Sequence, residues 1–330
     1  LQAPMLPVHT VAAGGGSIIR CEGGRLVVGP ESAGADPGPA AYRRGGPATI
    51  TDANLLLGRL PLSALPSVFG PAGDQPADLN AVQARFAALA EAAGLAPEQV
   101  AEGALQVAIE RMAAAIRRIS IQRGHDIRGA LLVSYGGAGG QHACRLAQQL
   151  GIRQVLLHPL SGVLSAYGIG MAQQSQLRER AVRQPLSPEL VAALRQQIDE
   201  LAAEAGAALQ TSGDLAAGIA AHQVVRVELR YPGSERGLEL LWPSAAGSDQ
   251  AAVVALQQAF ADAHRQRFGY VPADQQLTLE RVLLELTAPT AAPELPQATP
   301  ATAFAVDASP ATTQVWMGNQ QGWQLSLIHI

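Results

Sequence analysis

Apolar residues recur at intervals of three and four between Pro97 and Arg123, and this spacing predicts the longest amphipathic helix of the chain. Pro97 suits the first turn of that helix and Gly124 suits its end, because proline fixes a helical φ and glycine adopts the left-handed conformation that closes many helices. The same periodicity predicts six further helices, over residues 53–60, 79–93, 141–150, 164–172, 188–209 and 252–267.

Short apolar or alternating runs predict strands between these helices. Gly23 and Gly24 separate two such runs, which is typical of a hairpin. The predicted strands cover residues 8–12, 17–20, 25–28, 131–133, 155–157, 224–231, 238–242 and 277–286. Because strands and helices are interspersed along the chain, we expect an α/β fold.

The pattern of apolar and polar residues changes near residues 178–186, where we place a domain boundary. A segment rich in Pro and Ala over residues 287–300 is typical of a linker, and a short strand-rich tail follows it. A chain of 330 residues is long enough for about two domains.

Composition narrows the function classes. The net charge of −4 disfavours a nucleic-acid-binding protein, which normally carries a basic patch. Only two cysteines are present, which favours a reducing cytoplasm over a disulfide framework. No apolar run approaches the ~18 residues that a membrane helix needs, and no His/Cys spacing indicates a metal site. Because the chain begins with neither Met nor a signal peptide, we expect it to be the middle of a longer protein.

A glycine-rich turn after a buried strand is the strongest candidate for chemistry. It contains Gly136, Gly137, Gly139 and Gly140, which allow positive φ and close backbone approach, and a helix restarts directly after them. A strand, a glycine turn and a helix N-terminus together favour binding of an anion or a nucleotide, although such turns also serve as tight connections. His142 lies in the first turn of that helix, where a neutral imidazole is expected either to contact a ligand or to pack.

A second glycine-rich region supplies further candidates. Gly14, Gly15 and Gly16 form either a ligand-facing turn or the entry to a hairpin. Asp36 lies in a long Pro- and Gly-rich loop, where it is either a chemical group or an Asx-turn residue. Asp52 is either a catalytic carboxylate or, like Thr51, the N-cap of the next helix. The neighbouring pair Arg43 and Arg44 is a weaker candidate for an anionic ligand.

Six blocks of the sequence, in one order along the chain, resemble the hydantoinase A/5-oxoprolinase family. They are VHTVAAGGGSI, VGPESAGADPGPAAYRRGGPATITDANLLLGRL, SYGGAGGQHAC, HPLSGVLSAYGIG, LRYPGSERGLEL and FADAHRQRFGY. The resemblance implies an α/β fold that is the C-terminal part of an actin/sugar-kinase/Hsp70-like ATPase, followed by a smaller α/β domain. It assigns residues 1–180 to the ATPase lobe, 181–290 to the smaller domain and 291–330 to a linker and tail.

The resemblance also implies an activity. GGAGGQHAC followed by SGVLSAYG is most similar to the members that use ATP and Mg²⁺ to open 5-oxo-L-proline to L-glutamate, releasing ADP and phosphate. By this resemblance the glycines at 136, 137, 139 and 140 hold the adenosine part of ATP. The resemblance implies a small lactam or imide as the substrate and a hydantoinase B-type subunit or fused region as the partner. It implies no nucleic acid or membrane as a partner, and it is compatible with a homo-oligomer.

The chain departs from the family in lacking an acidic, glycine-rich phosphate loop and an Asp-Gly-Gly-Thr-like loop. Since these loops hold phosphate and Mg²⁺, we expect this chain alone to be inactive. The alternatives are a subunit of an ATP-dependent hydantoinase or acetone-type carboxylase, or a noncatalytic fragment that binds nucleotide or serves as a scaffold.

Overall fold

The computed structural model forms two compact units. It describes residues 8–212, 221–234, 237–272, 276–288 and 311–328. The first unit contains the described residues 8–121, 126–164 and 311–328, and the second contains 122–125 and those between 165 and 288.

The first unit begins with an antiparallel hairpin of β1 (Ser17–Glu22) and β2 (Arg25–Ser32). Gly23 and Gly24 join the strands, and both have the positive φ that a two-residue hairpin turn requires. A long loop then leads from β2 to the first helix.

Three helices and the hairpin enclose the main core of this unit. The helices are α1 (Ile50–Leu56), α2 (Leu79–Ala93) and α3 (Pro97–Gln122). Each directs one apolar stripe inward, and the fully buried side chains include Val28, Ile50, Leu57, Phe86 and Leu105. Gly94 ends α2 in the left-handed conformation, as a glycine after a helix commonly does.

A parallel strand pair follows α3. β3 (Leu131–Ser134) and β4 (Gln154–Leu157) are hydrogen-bonded neighbours, and α4 (Gly140–Leu150) is the crossover between them. Four buried residues form a small core beneath this β-α-β segment, namely Ala113, Ala147, Leu150 and Ile152.

The last described residues return to the first unit as a hairpin of β9 (Ala311–Trp316) and β10 (Trp323–Ile328). The amide of Trp316 donates a hydrogen bond of 2.9 Å to the carbonyl of Leu57, directly after α1. Gly58 has a φ of 68°, and a Cβ atom there would lie 2.0 Å from the carbonyl oxygen of Gln314. Glycine at position 58 therefore permits both the chain reversal and the close approach of β9.

The second unit is a four-stranded antiparallel sheet with helices on one face. The order of its strands is β5 (Ser175–Pro185), β8 (Thr278–Thr287), β6 (His222–Arg230) and β7 (Leu238–Leu241). The helix α5 (Leu164–Met171) leads into β5, and α6 (Pro188–Thr211) and α7 (Asp249–Phe268) pack on the sheet.

Alternating residues of this sheet separate an apolar face from a charged face. Inward side chains such as Val227, Leu229, Leu279, Val282 and Leu284 are buried against α6 and α7. On the other face Arg281 bridges Glu179 of β5 at 3.0 Å and Glu228 of β6 at 2.6 Å. Cross-strand ion pairs of this kind add to strand pairing.

Most predicted elements are confirmed, but four details are wrong. Residues 8–12 form no strand; they are irregular and pair with no other described strand, and Val8 is 76% exposed. The N-cap of α1 is Thr49, not Thr51 or Asp52, and Gly58 ends the helical region before residue 60. The strand β5, which spans the predicted boundary region, was missed because its alternation is mostly polar.

The domain extents stay a prediction, and most of the predicted linker, from residue 289 onward, lies outside the described residues. Among the described helices, none is long and apolar enough to cross a membrane.

We expect Gly58→Ala to release the β9–β10 hairpin, because its Cβ would overlap the backbone of Gln314. Gly45→Ala is the matched control, since Gly45 also has positive φ, but a Cβ there meets nothing within 4 Å. Both variants should lose about 1–2 kcal/mol to backbone strain. Only Gly58→Ala should also shift tryptophan emission to longer wavelength as Trp316 leaves the core. Equal emission spectra for the two variants would contradict this packing.

Candidate functional site

A cavity of about 270 Å³ in the first unit brings two glycine-rich segments together. One wall is the turn at Ala13, Gly14 and Gly15, and the other is the segment from the end of β3 into α4. The walls are mostly apolar, and the remaining lining residues are Met112, Leu132, Val133, Ser134, Tyr135, Ala138, Gly139, His142, Ala143 and Leu146. Small-molecule sites commonly have this character, with apolar walls and a few polar groups.

The turn after β3 has a specific need for glycine at two positions. Gly136 adopts a φ of 86°, and its amide donates to the carbonyl of Ser161 at 2.8 Å. At Gly139, a Cβ would lie 2.5 Å from the carbonyl oxygen of Tyr135. Close packing of the start of α4 on the end of β3 therefore requires glycine at 139. No side chain caps the N-terminus of α4.

The other wall is tied to the start of α1. The carbonyl of Gly15 accepts the amide of Thr51 at 2.8 Å, and the carbonyl of Gly16 accepts the amide of Ala33 at 2.9 Å. The amide of Gly14 donates to the hydroxyl of Ser17 at 2.9 Å. The position of this wall therefore depends on α1 and on the loop that precedes it.

The structure brings four of the predicted ligand-binding residues into the cavity wall and leaves four outside. Gly14, Gly15, Gly139 and His142 line the cavity. The remainder are adjacent in sequence but outside the lining, namely Gly16, Gly136, Gly137 and Gly140. A ligand role for any of them stays a prediction.

His142 is one of two buried polar residues that line this cavity, together with Ser134. His142 is 6% exposed, and its Nε2 atom has no hydrogen-bond partner among the described residues. Burial lowers the pKa of the imidazole, and the positive charges of Arg145 and Arg59 lower it further. The side chain is therefore neutral at pH 7, with Nε2 able to donate or accept a hydrogen bond according to its tautomer.

Asp52 holds the loop that leads into α1. Its carboxylate accepts hydrogen bonds from the amides of Ala40 (3.0 Å), Ala41 (2.9 Å) and Thr49 (2.9 Å), and from the Thr49 hydroxyl (2.9 Å). The Thr49 hydroxyl in turn accepts the amide of Asp52, which completes a capping box. Burial raises the pKa of the Asp52 carboxyl, and its hydrogen bonds act in the opposite direction. All of these contacts are structural, so the catalytic role stays a prediction.

The other charged candidates lie outside the cavity wall. Asp36 is exposed. The guanidinium of Arg43 donates to the carbonyl of Pro76 at 2.6 Å and pairs with Asp78 at 3.1 Å. Arg44 donates to the carbonyl of Gly70 at 3.4 Å. The two arginines therefore hold the loop itself, and the expectation that they meet an anionic ligand receives no support from these contacts.

Several lining residues were not identified as site residues from the sequence. Met112 follows the apolar stripe of α3, so the pattern assigned it to the core. Ser134 ends β3 and Tyr135 follows it, and their place directly before the glycine turn is the one signal that would have found them. Among the described residues, no three His, Cys, Asp or Glu side chains converge as a metal site.

The architecture of this chain is similar to part of two solved enzyme structures. The crystal structure of the ATP-dependent caprolactamase from Pseudomonas jessenii matches 97% of this chain and 46% of its own, with a TM-score of 0.81 and 30% identity. An acetone carboxylase structure matches 86% of this chain and 41% of its own, with a TM-score of 0.59 and 21% identity, which shows the fold alone. The predicted fold class is confirmed.

The family is shown by sequence. The hydantoinase/oxoprolinase family model matches residues 1–179, and the chain belongs to that family. The 5-oxoprolinase PfmaA of Pestalotiopsis fici is 53% identical over 178 residues, which are 52% of this chain. This chain spans 14% of the length of that relative.

We expect Asp52→Ala to lower the free energy of unfolding by roughly 3 kcal/mol or more, since three buried amides lose their acceptor. Asp78→Ala is the control, because Asp78 caps α2 in the same unit and pairs with Arg43, and the loss of both contacts should cost about 1–2 kcal/mol. Urea unfolding followed by circular dichroism compares the two. A smaller loss for Asp52→Ala than for Asp78→Ala would show that this carboxylate does not hold the loop.

Proposed function

We propose that this chain is part of an ATP-dependent cyclic-amide hydrolase and that its cavity holds the adenosine part of ATP. The observation that carries the proposal is the convergence of Gly14, Gly15, Gly139 and His142 on one apolar cavity. Family membership and the likeness to an ATP-dependent caprolactamase support the same reaction class.

The size and lining of the cavity suit a nucleoside. About 270 Å³ lies just below the ~300–1,000 Å³ of sites that enclose a whole drug-sized ligand, so a nucleoside would fill it and the phosphates would extend beyond it. Leu132, Met112 and Leu146 offer apolar contact to a base. The unpartnered Nε2 atom of His142 offers a hydrogen bond.

The N-terminus of α4 supplies an electrostatic preference in the same place. Its helix dipole favours negative charge, no described side chain caps its first turn, and the glycines of the turn allow close approach of a phosphate or ribose. We propose that Mg²⁺ accompanies the phosphates. No described residue is assigned to the metal, since none of the described acidic, His or Cys side chains form a cluster of three.

ATP is chemically appropriate because an unstrained lactam is a poor electrophile. Transfer of the terminal phosphoryl group of ATP to the amide oxygen releases ADP and makes the ring carbon more electrophilic. One water then adds to that carbon and the ring nitrogen leaves as the amine, which gives an acyl phosphate. A second water hydrolyses the acyl phosphate to the carboxylate and phosphate. In this scheme the residues of this chain bind and orient the nucleotide and exclude water from its base.

We propose 5-oxo-L-proline as the substrate, with L-glutamate as the product and glutathione metabolism as the context. Over most of this chain the sequence identity is 39% with the 5-oxoprolinase of Saccharomyces cerevisiae and 34% with the caprolactamase subunit alpha, which favours this lactam. A cytoplasmic location, a hydantoinase B-type partner and self-association are part of the same proposal. The likeness to the acetone carboxylase shows the fold alone, so it does not support a carboxylase function for this chain.

We expect a longer version of this protein, supplied with a B-type partner, to release ADP in response to 5-oxo-L-proline. Gly14→Val should raise the KM for ATP at least about tenfold, because the side chain would occupy open space at the cavity wall. Gly129→Val is the control, since Gly129 also has open space around its Cβ position but lies outside the lining.

ADP release that depends on caprolactam but not on 5-oxo-L-proline would overturn the substrate. An unchanged KM for ATP in Gly14→Val would overturn the assignment of the cavity. Nucleotide binding without any lactam-dependent turnover would favour the noncatalytic alternative.

A further inference from the structure

A carboxylate on α3 joins two arginines behind the cavity. Glu102 Oε2 lies 2.6 Å from Nη2 of Arg59, and Glu102 Oε1 lies 2.6 Å from Nη2 of Arg145. The three side chains are between 21% and 31% exposed, so they are only partly screened by water. Ion pairs with this geometry are charge-assisted hydrogen bonds, which are stronger than neutral ones.

The three residues come from three separate elements. Arg59 follows α1, Glu102 lies in the first half of α3, and Arg145 lies three residues after His142 on α4. Nη2 of Arg145 also donates to Gln106 at 3.1 Å. A second contact between α1 and α4 is a hydrogen bond of 2.9 Å that the side-chain amide of Asn54 donates to the side-chain oxygen of Gln141. The start of α4 is therefore fixed through polar contacts on the side behind the cavity.

The charges in this group do not cancel. Two guanidinium groups share one carboxylate, which leaves one positive charge, and Nη1 of Arg145 is buried without a hydrogen-bond partner among the described residues. The nearby cations that act on His142 are Arg145 on its own helix and Arg59 after α1. From α3 the charged group is Glu102, and from β3 the titratable group at the cavity is Tyr135.

We propose that Glu102 is a positioning residue for the cavity: its carboxylate holds Arg59 and Arg145 together, and so fixes both the place of His142 and the charge behind it. Its effect on a ligand rests on the proposed function, whereas its effect on His142 does not. Glu102 itself is absent from the cavity lining, so it acts through the two arginines.

The experiment is an NMR titration of the His142 imidazole without nucleotide, in the wild-type chain and three variants. The His142→Gln variant assigns the signal. Glu102→Gln leaves two uncompensated cations, so the titration midpoint should move to lower pH. Arg145→Met leaves one matched pair, so the midpoint should move to higher pH. The double variant has the same net charge as the wild type, and its midpoint should return toward the wild-type value.

The order of these titration midpoints distinguishes a role of Glu102 in charge and position from a role in packing alone. If Glu102 only stabilised the fold, each variant would expose His142 to water and move the midpoint toward higher pH. That result, or an unchanged midpoint in Glu102→Gln, would overturn the proposal. Glu91→Gln is the control, because it is the same change at an exposed position of α2, outside the ion-pair group.

A measurement of ADP binding distinguishes failure of this proposal from failure of the proposed function. Glu102→Gln should weaken ADP binding by roughly tenfold, the factor expected when the displaced His142 loses its one hydrogen bond to the nucleotide. If the wild-type protein binds no ADP, the proposed function fails, while the titration order still decides the role of Glu102. If the wild type binds ADP and Glu102→Gln binds it equally well, the positioning role fails alone.

Discussion

Two oxygen atoms of one buried carboxylate, that of Asp52, receive hydrogen bonds from three backbone amides and a hydroxyl. These bonds close the long loop after β2 onto the first turn of α1. The amide of Thr51, one residue earlier, holds the carbonyl of Gly15. One wall of the cavity thus depends on the same short segment that closes the loop. A buried carboxylate is tolerated here because its lone pairs are satisfied by the backbone.

The opposite wall depends on a different constraint, the close packing of α4 on the end of β3. Gly139 permits that approach, and Gly136 turns the chain with a positive φ. Behind the wall, the partly buried pairs of Arg59 and Arg145 with Glu102 place positive charge next to His142. Backbone geometry therefore shapes the cavity. Burial lowers the pKa of its imidazole, and the positive charges of Arg145 and Arg59 act in the same direction.

Local periodicity was sufficient to predict most helices and the hairpin, because Pro97, Gly94 and Gly23 mark boundaries that depend on backbone conformation alone. The glycine turn and His142 were identifiable for the same reason. Contacts between distant residues were not identifiable. The amides of Ala40 and Ala41 donate to Asp52, and Glu102 pairs with Arg145 across 43 positions. These contacts form only when the chain has folded. The return of β9 to α1 joins residues 257 apart, which no local pattern could show.

In the function proposed above, the cavity between Gly14 and His142 receives the adenosine part of a nucleotide. Photolabelling with 8-azido-ADP, followed by peptide mapping, is the first experiment that we would make. We expect labelling within residues 1–20, 112–117, 129–145 or 146–153, the tryptic peptides that carry the cavity lining, and its suppression by excess ADP. Labelling confined to peptides beyond residue 165, or labelling that excess ADP does not suppress, would contradict it.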